Sequence, residues 1–439
     1  MSTKRVAFYT LGCRVNGYES ESMKSAFIKA GYSCVDFKDE ADVYVVNTCT
    51  VTNIADRKNR NILRRPKKIN GDAIVVATGC YAQTNHKDLE KMEDVDFIIG
   101  QREKGSIVNI VNDYEKYLNK RKTFVGNAFQ YERYDELSFS GLRGLNKAYV
   151  KIQDGCDRFC SFCKIPFARG RKRSRDINEI LLEVGELVKK GFKEIVLIGI
   201  HLGAYGEDLD SNINFDDVVE HVLNIEGLER LRVSSMYPDC ISDRFIELMQ
   251  HKNFMPHLHM SIQSGDDEVL SLMRRRYDSK LMYNVFEKIS ERVEDIMFTG
   301  DVIVGFPHEK EENFINTYKF IESFPFSDLH IFPYSDREKT LASRYSEKVS
   351  SPVKHDRFNR LNLLKNELTQ KALNKYVGRE VEILVEKVNG GIAEGYTPNF
   401  LKGEVEIDFP LERNNMLKFT PKVADGNILR GVVKRNDLE

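Results

Sequence analysis

Cys156-Asp157-Arg158-Phe159-Cys160-Ser161-Phe162-Cys163 is the stretch from which the rest of the chain is read. Three cysteines stand in a CxxxCxxC pattern, just after the strand-like run Ala148-Tyr149-Val150-Lys151-Ile152. A loop of this length wraps three thiolates around one corner of a cubane cluster. Soft thiolate ligands select iron–sulfur, zinc or copper. Three protein ligands leave a fourth iron open, and an open coordination position is what a catalytic metal needs. The competing reading is a structural zinc site. That would show paired CxxC spacing and a fourth ligand close by. Here no fourth cysteine follows within a finger's length, and the nearest histidine is His201.

The chain has 439 residues, room for two or three domains with their own cores. Hydrophobic residues make up 41% and charged residues 30%, which excludes a disordered or membrane-embedded class. No apolar run approaches the length of a membrane span, so no membrane partner is expected. Lys4-Arg5 leads straight into a strand-like run with no signal peptide. Eight cysteines in that setting imply a reducing cytoplasm and metal ligands rather than disulfides. The formal net charge is −1, so any nucleic-acid contact must come from local patches.

Outward from the motif toward the N-terminus, one arrangement recurs three times. Lys4–Leu11 ends in Gly12-Cys13, Asp42–Asn47 in Thr48-Cys49, and Ala73–Thr78 in Gly79-Cys80. Helix-like segments separate these runs, Glu19–Ala30 and Asp56–Lys68, with a further one at Gln101–Leu118. Continuous apolar strands alternating with helices predict a parallel sheet buried on both faces. Its strands share one carboxyl edge, where open α/β sheets bind ligands. Cys13, Cys49 and Cys80 are therefore expected to meet there as a second cluster site. The plainer alternative is three small buried hydrophobes. Cys34 and Cys240 lie outside the pattern and read as packing residues. The basic run Arg57–Lys68 reads as a solvated face or a phosphate-binding surface.

Toward the C-terminus, Arg169, Arg171, Lys172, Arg173 and Arg175 put five cations in seven residues beside the cysteine loop, a charge that draws a polyanion. Strand candidates at Glu194–Ile200, Leu231–Ser235, Leu258–Ile262, Met297–Val304 and Leu329–Phe332 alternate with helices. That repeat predicts a closed or partial (β/α) barrel whose chemistry lies at the carboxyl ends of its strands. His201, Ser234, Gln263 and Asp301 (or Gly305) fall near those ends, where a polar residue is otherwise only a cap. Pro352–Tyr376 is a charged helical connection. The remainder reads as a small all-β barrel with nine Lys/Arg against eleven Asp/Glu, an accessory reader or a protein-contact module rather than a main electrostatic anchor.

With these residues in view, the chain resembles the radical S-adenosylmethionine enzymes at Gly155–Arg175, including the aromatic Phe162 before the third cysteine. Along nearly its full length it resembles their methylthiotransferase family. Thr10–Asn16, Asn47–Thr52 and Thr78–Gln83 are similar to that family's three auxiliary-cluster motifs. Ser261–Gly265 with Met273–Tyr277, and Asp301–Pro307, are similar to its S-adenosylmethionine segments. The wording Arg14-Val15-Asn16 and Thr50-Val51-Thr52 resembles the branch acting on N6-threonylcarbamoyladenosine at position 37 of tRNA. One departure is Asp336-Arg337-Glu338-Lys339-Thr340, where the family commonly has a Pro/Gly-containing turn.

The resemblance implies two 4Fe–4S clusters, on Cys156, Cys160 and Cys163 and on Cys13, Cys49 and Cys80. It implies S-adenosylmethionine held near Phe162, His201, Ser234, Gln263, Asp301 and Gly305. It implies an RNA rather than DNA substrate, the tRNA anticodon loop, gripped by Arg169, Arg171, Arg173, Arg175, Arg274 and Arg275, and an external electron donor. The expected α/β architecture is a parallel-sheet cluster domain over 1–126 and a linker over 127–141. A partial (β/α) barrel of the radical type follows over 142–375, then a small all-β TRAM barrel over 376–439. No side chain is expected to act as a general acid or base. Alternative readings are the same chemistry on isopentenyladenosine tRNA or a ribosomal-protein side chain, and, from another class, an iron–sulfur electron carrier or RNA-binding module.

Overall fold

The computed structural model describes residues 3–114, 122–131, 134 and 147–438. They fall into two compact units. The first takes in Met1–Leu142, Lys151–Arg175 and Ser335–Ser343, the second Arg143–Val150, Asp176–Tyr334 and Arg344–Glu439.

The first unit is built on a six-stranded sheet. Its strands are β1 (Arg5–Thr10), β2 (Ser33–Val35), β3 (Val43–Thr48), β4 (Ile74–Gly79), β5 (Phe97–Ile99) and β6 (Thr123–Phe124). They lie side by side in the order β2-β1-β3-β4-β5-β6, and all neighbouring pairs run parallel. Every residue of β3 is buried, which is why its sequence shows no polar alternation. Val6, Val45 and Val76 join Phe27, Phe97 and Ile107 in the core on one face of the sheet, each side chain contributing about 1.5–3 kcal/mol by leaving water.

The three longest strands are legible in the sequence to within a residue or two; the helices shift more. The first spans Arg14–Lys29, with Cys13 as its N-cap residue. The basic run divides into a helix Asn53–Leu63 and a short turn Pro66–Ile69, because Pro66 begins a new helix rather than continuing the old one. The expected helix Gln101–Leu118 is a 3-10 turn, Arg102–Ser106, followed by Ile107–Asn112, and its last part lies outside the described residues. Most of the 127–141 linker also lies outside them.

The second unit carries the strand–helix repeat. Strands β7 (Lys147–Lys151), β10 (Glu194–Ile198) and β11 (Arg230–Val233) form one sheet, and β12 (His257–Gln263), β13 (Met297–Val304) and β14 (Phe326–Pro333) another. Parallel bridges Leu231↔Phe254 and Met236↔Met260 continue one sheet toward the other, giving a partial barrel. The two-residue strands β8 (Gln153–Asp154) and β9 (Arg173–Ser174), in the first unit, clamp the two ends of the cysteine loop together.

After the helix Ser351–Asn374 comes a six-stranded all-β sheet. Its strands are β15 (Val381–Asn389), β16 (Ile392–Tyr396), β17 (Lys402–Ile407), β18 (Met416–Phe419), β19 (Val423–Asp425) and β20 (Ile428–Val433), in the order β18-β15-β16-β17-β20-β19. It closes around Ile383, Val405, Leu417, Phe419 and Leu429. Arg232 joins it to the barrel strands, donating to the carbonyls of Pro398 (2.7 Å) and Thr397 (2.8 Å) and pairing with Glu194 (3.0 Å). No helix among the described residues is long and apolar enough to cross a membrane.

Candidate functional site

Cys13, Cys49 and Cys80 each follow a strand of the first sheet, and those strands, β1, β3 and β4, are neighbours. The backbone is shaped for close approach. Gly12 has φ +101°, and a Cβ there would stand 2.9 Å from Cys49 Cβ and 3.0 Å from its Sγ. Gly79 has φ +93°, and its Cβ would meet Asn47 Oδ1 and the Thr48 carbonyl at 2.4 Å. Only glycine leaves that space open. The N-terminus of the sixteen-residue helix Arg14–Lys29 lies at Cys13, its N-cap residue. Burial and the neighbouring Cys80 push the Cys49 thiol up to about 12. Burial likewise raises Cys80, with Arg169 opposing. Without a cation, then, Cys49 and Cys80 favour the thiol; a cluster that binds them takes thiolates and releases protons.

The second triad lies in the same unit. Gly155, at φ +72°, turns the chain so tightly that a Cβ would sit 1.8 Å from the Arg171 carbonyl oxygen. The Cys156 N–H donates to the Gly170 carbonyl at 3.0 Å, closing the loop. Backbone N–H groups of Arg158 and Ile165 donate to Cys156 Sγ (3.5 Å) and Cys163 Sγ (3.4 Å). Such contacts set the potential of a thiolate-bound cluster. Phe159, between the cysteines, adopts φ +46°, a costly conformation for a bulky residue. Cys156 and Cys160 are buried, Cys163 is half-buried, and Phe162 beside it is half-buried. In both triads the donor set and the glycine-cleared space fit an iron–sulfur cluster.

Arg169 connects the two. It is fully buried, and Nη1 donates to Glu19 Oε1 (2.8 Å) and Asp154 Oδ1 (3.0 Å). Its Nη2 donates to Asn16 Oδ1 at 2.7 Å. Asn16 in turn donates to the carbonyls of Leu11 (2.8 Å) and Thr48 (3.1 Å), the strand ends that lead to Cys13 and Cys49. Lys151 completes the cluster with Glu19 (3.0 Å) and Asp154 (2.6 Å), and Lys104 pairs with Glu19. Nothing in the chain's spacing marks Glu19, Lys104, Lys151 and Asp154 as one group. The available sign is that the helix Arg14–Lys29 buries polar residues, Asn16, Glu19 and Ser20, on its inner side.

The cations expected to grip substrate therefore divide. Arg169 and Arg173 are buried; Arg173 donates to the carbonyls of Arg169 and Arg171, both at 2.9 Å. They are structural in this arrangement, because Asp154 pairs with both and Glu19 with Arg169, which keeps their charges inside the fold. Arg171 is exposed and Arg175 half-buried. Arg57, Lys58, Arg64, Arg65 and Lys68 are also exposed. Ile54, at the start of their helix, is 82% exposed, an unusual position for isoleucine. Cys34 is exposed on the edge strand β2 and so does not pack in the core; Cys240 is half-buried beside His201 and Gly203.

In the second unit, Ser234 follows β11 directly, and its buried Oγ has no hydrogen-bond partner among the described residues. Gln263 ends β12 at φ +67°. Gly305 follows β13 at φ +68°, its N–H held by Glu309 Oε1 at 2.8 Å. His201 lies three residues beyond β10, its ring 4.6 Å from that of Tyr237 and Nε2 3.5 Å from Cys240 Sγ. Asp301 differs from the expectation, since it stands within β13 rather than at its end. Its carboxylate is engaged by His259 and His330, which, against burial, hold it well below the usual range. Arg274 is exposed at φ +58°, and Arg275 stacks 4.8 Å from the Tyr237 ring centroid, lining an open depression of about 420 Å³.

Two family models match the chain, one over each cysteine triad. Residues 5–100 match an uncharacterized protein family, UPF0004, and residues 150–321 match the radical SAM superfamily. The threonylcarbamoyladenosine tRNA methylthiotransferase MtaB of Bacillus subtilis (strain 168) is 40% identical, covering 90% of this chain and 89% of its own length. Its namesake from Aquifex aeolicus (strain VF5) is also 40% identical, covering 92% and 98%. The tRNA-2-methylthio-N(6)-dimethylallyladenosine synthase of Bacillus subtilis (strain 168) is 34% identical, covering 96% and 82%. Among solved structures, the radical S-adenosylmethionine methyltransferase TsrM from Kitasatospora setae shares the fold at a TM-score of 0.58 and 12% identity, covering 76% of this chain and 75% of its own. With 40% identity over 90% of its length, the chain belongs to the radical S-adenosylmethionine methylthiotransferase family.

Proposed function

We propose that this enzyme adds a methylthio group to C2 of N6-threonylcarbamoyladenosine at position 37 of tRNA, in the cytoplasm and with an external electron donor. The observation that carries the reading is the pair of cysteine triads in one unit, tied by Arg169 through Asn16 to the strand ends behind the second triad. When bound, the clusters supply the electron that cleaves S-adenosylmethionine and the iron that carries the sulfur. Cys156, Cys160 and Cys163 are the ligands proposed for the first, and Cys13, Cys49 and Cys80 for the second.

The protein's own part is to hold and orient. Ser234, Gln263, Gly305 and His201 are the groups proposed to receive S-adenosylmethionine at the barrel rim. Arg171, Arg175 and the exposed cations of the helix Asn53–Leu63 and the turn after it are proposed to take the phosphates of the anticodon loop. RNA loops are read through splayed bases and backbone, and a base modified on its ring must leave the stack. Arg169 and Arg173 contribute by keeping the cysteine loop in place.

The isopentenyl-type relative, at 34% identity, keeps a second substrate in view. Nucleoside mass spectrometry separates the two. The anaerobically reconstituted enzyme is incubated with S-adenosylmethionine, dithionite and an equal mixture of tRNAs carrying N6-threonylcarbamoyladenosine or isopentenyladenosine. A methylthio derivative of the first nucleoside is expected. Modification of the second alone would overturn the substrate assignment.

A further inference from the structure

On β12 the residues His257, His259, Ser261 and Gln263 alternate with Leu258, Met260 and Ile262. The apolar set of the neighbouring strand β13 faces the helix Ser279–Arg292: the Phe298 ring lies 4.5 Å from that of Phe286. The opposite face therefore carries Thr299 and Asp301 of β13 with the histidines of β12. The register pairs His259 with Thr299 and Asp301 with His330 of β14. Three adjacent strands thus deliver His259, Asp301 and His330 to one spot, with one ligand atom of each within 4.8 Å of the others.

We propose that His259, Asp301 and His330 form a binding site for a first-row divalent cation of the zinc type, distinct from both cysteine triads. Two histidines and one carboxylate with further positions open are a recurrent set for such ions. The distances fit. His259 Nε2 lies 3.2 Å and His330 Nδ1 3.1 Å from Asp301 Oδ1. Ligands about 2.0–2.2 Å from a metal stand ~2.9–3.4 Å apart for right-angled to tetrahedral arrangements.

An outer partner is also in place. Thr299 Oγ1 is 2.8 Å from His259 Nδ1 and 3.0 Å from His257 Nε2. A hydroxyl has one hydrogen, so it donates to one ring and accepts from the other. When it accepts from His259 Nδ1–H, the Nε2 lone pair of His259 points at the Asp301 carboxylate. Two electron pairs then face each other, and a cation between them removes the repulsion. Fixing the ligand tautomer through the far ring nitrogen is the usual role of such a group. The His330 side chain is 56% exposed, so the site is open to an entering ion.

The proposal is independent of the substrate reading, because it is tested without tRNA or S-adenosylmethionine. The full chain is reconstituted anaerobically, so that the six triad cysteines are occupied by clusters, then washed with chelator and dialysed against Zn2+ at micromolar concentration. Zinc and iron are counted together by elemental mass spectrometry. One zinc per chain is expected in the wild type. His259→Gln and His330→Gln should each weaken zinc binding by more than tenfold with iron unchanged, and Thr299→Ala by about tenfold. Wild-type protein that takes up no zinc overturns the proposal. So does zinc uptake that is the same in the wild type and in both histidine variants.

Discussion

Around Glu19, three cations and a second carboxylate share a space closed to solvent: Arg169, Lys104, Lys151 and Asp154. Burial pushes Glu19 up, but Arg169, Lys104 and Lys151 outweigh it and hold the carboxyl well below its ordinary range. Asp154 is lowered in the same way, against burial, chiefly by Arg169. Carboxyl groups more acidic in the folded chain add stability above about pH 4 and lose it as pH falls toward the folded values. Glu19→Gln would leave three cations facing Asp154 alone, and breaking a buried ion pair costs about 3–5 kcal/mol. Urea unfolding at neutral pH should show a loss of that size, and the variant's stability should fall less steeply on acidification than the wild type's. Gly155→Ala acts on the backbone instead. A Cβ 1.8 Å from the Arg171 oxygen forces the cysteine loop open. Iron measurements should then show about half the metal lost, and formation of 5′-deoxyadenosine should stop.

Among the elements, the segment Ser335–Ser343 shows how a single anchor fixes a loop. Arg337 is buried and donates to the Thr50 carbonyl (2.9 Å), Thr50 Oγ1 (2.8 Å) and Asp56 Oδ2 (2.8 Å). These groups border Cys49. Glu338 and Lys339 beside it are exposed. Arg337→Ala should therefore speed tryptic cleavage after Lys339 at least tenfold, while the melting of the all-β sheet β15–β20 is unchanged.

This segment also marks what could be read in advance. The missing Pro/Gly turn is visible in the chain as written, and Lys339 takes φ +70°, which glycine would adopt without strain. That Arg337 is an anchor depends on Thr50 and Asp56, nearly three hundred residues away, and no local pattern reports that. The strands ending at Cys13, Cys49 and Cys80 were legible because continuous apolar runs have one reading in a parallel sheet. The roles of Arg169 and Asp301 were not, because a charge beside a site and a charge inside a network have the same spelling. His257, His259, Ser261 and Gln263 did carry a readable sign: strict polar alternation on a barrel strand marks a polar inner face.

At the scale of the whole molecule, a formal net charge of −1 coexists with local basic surfaces. Arg64, Arg65 and Lys68 are exposed in the first unit. The last 64 residues, from Tyr376 on, are slightly acidic, so they add no net attraction for a polyanion. Replacing Arg64, Arg65 and Lys68 together by alanine should weaken tRNA binding and flatten its salt dependence, by about 0.7 in the log–log slope for each phosphate no longer neutralised. Reductive cleavage of S-adenosylmethionine without tRNA should not change.

Under the proposed function, the two cysteine triads divide the labour. The most direct measurement compares the wild type with the triple variant Cys13→Ala, Cys49→Ala, Cys80→Ala under reducing, anaerobic conditions. Both 5′-deoxyadenosine and methylthio nucleoside are measured in the same reactions. The variant is expected to keep cleaving S-adenosylmethionine and to form no methylthio nucleoside. Methylthio product from the variant would contradict the assignment of the second triad, and with it the two-centre account.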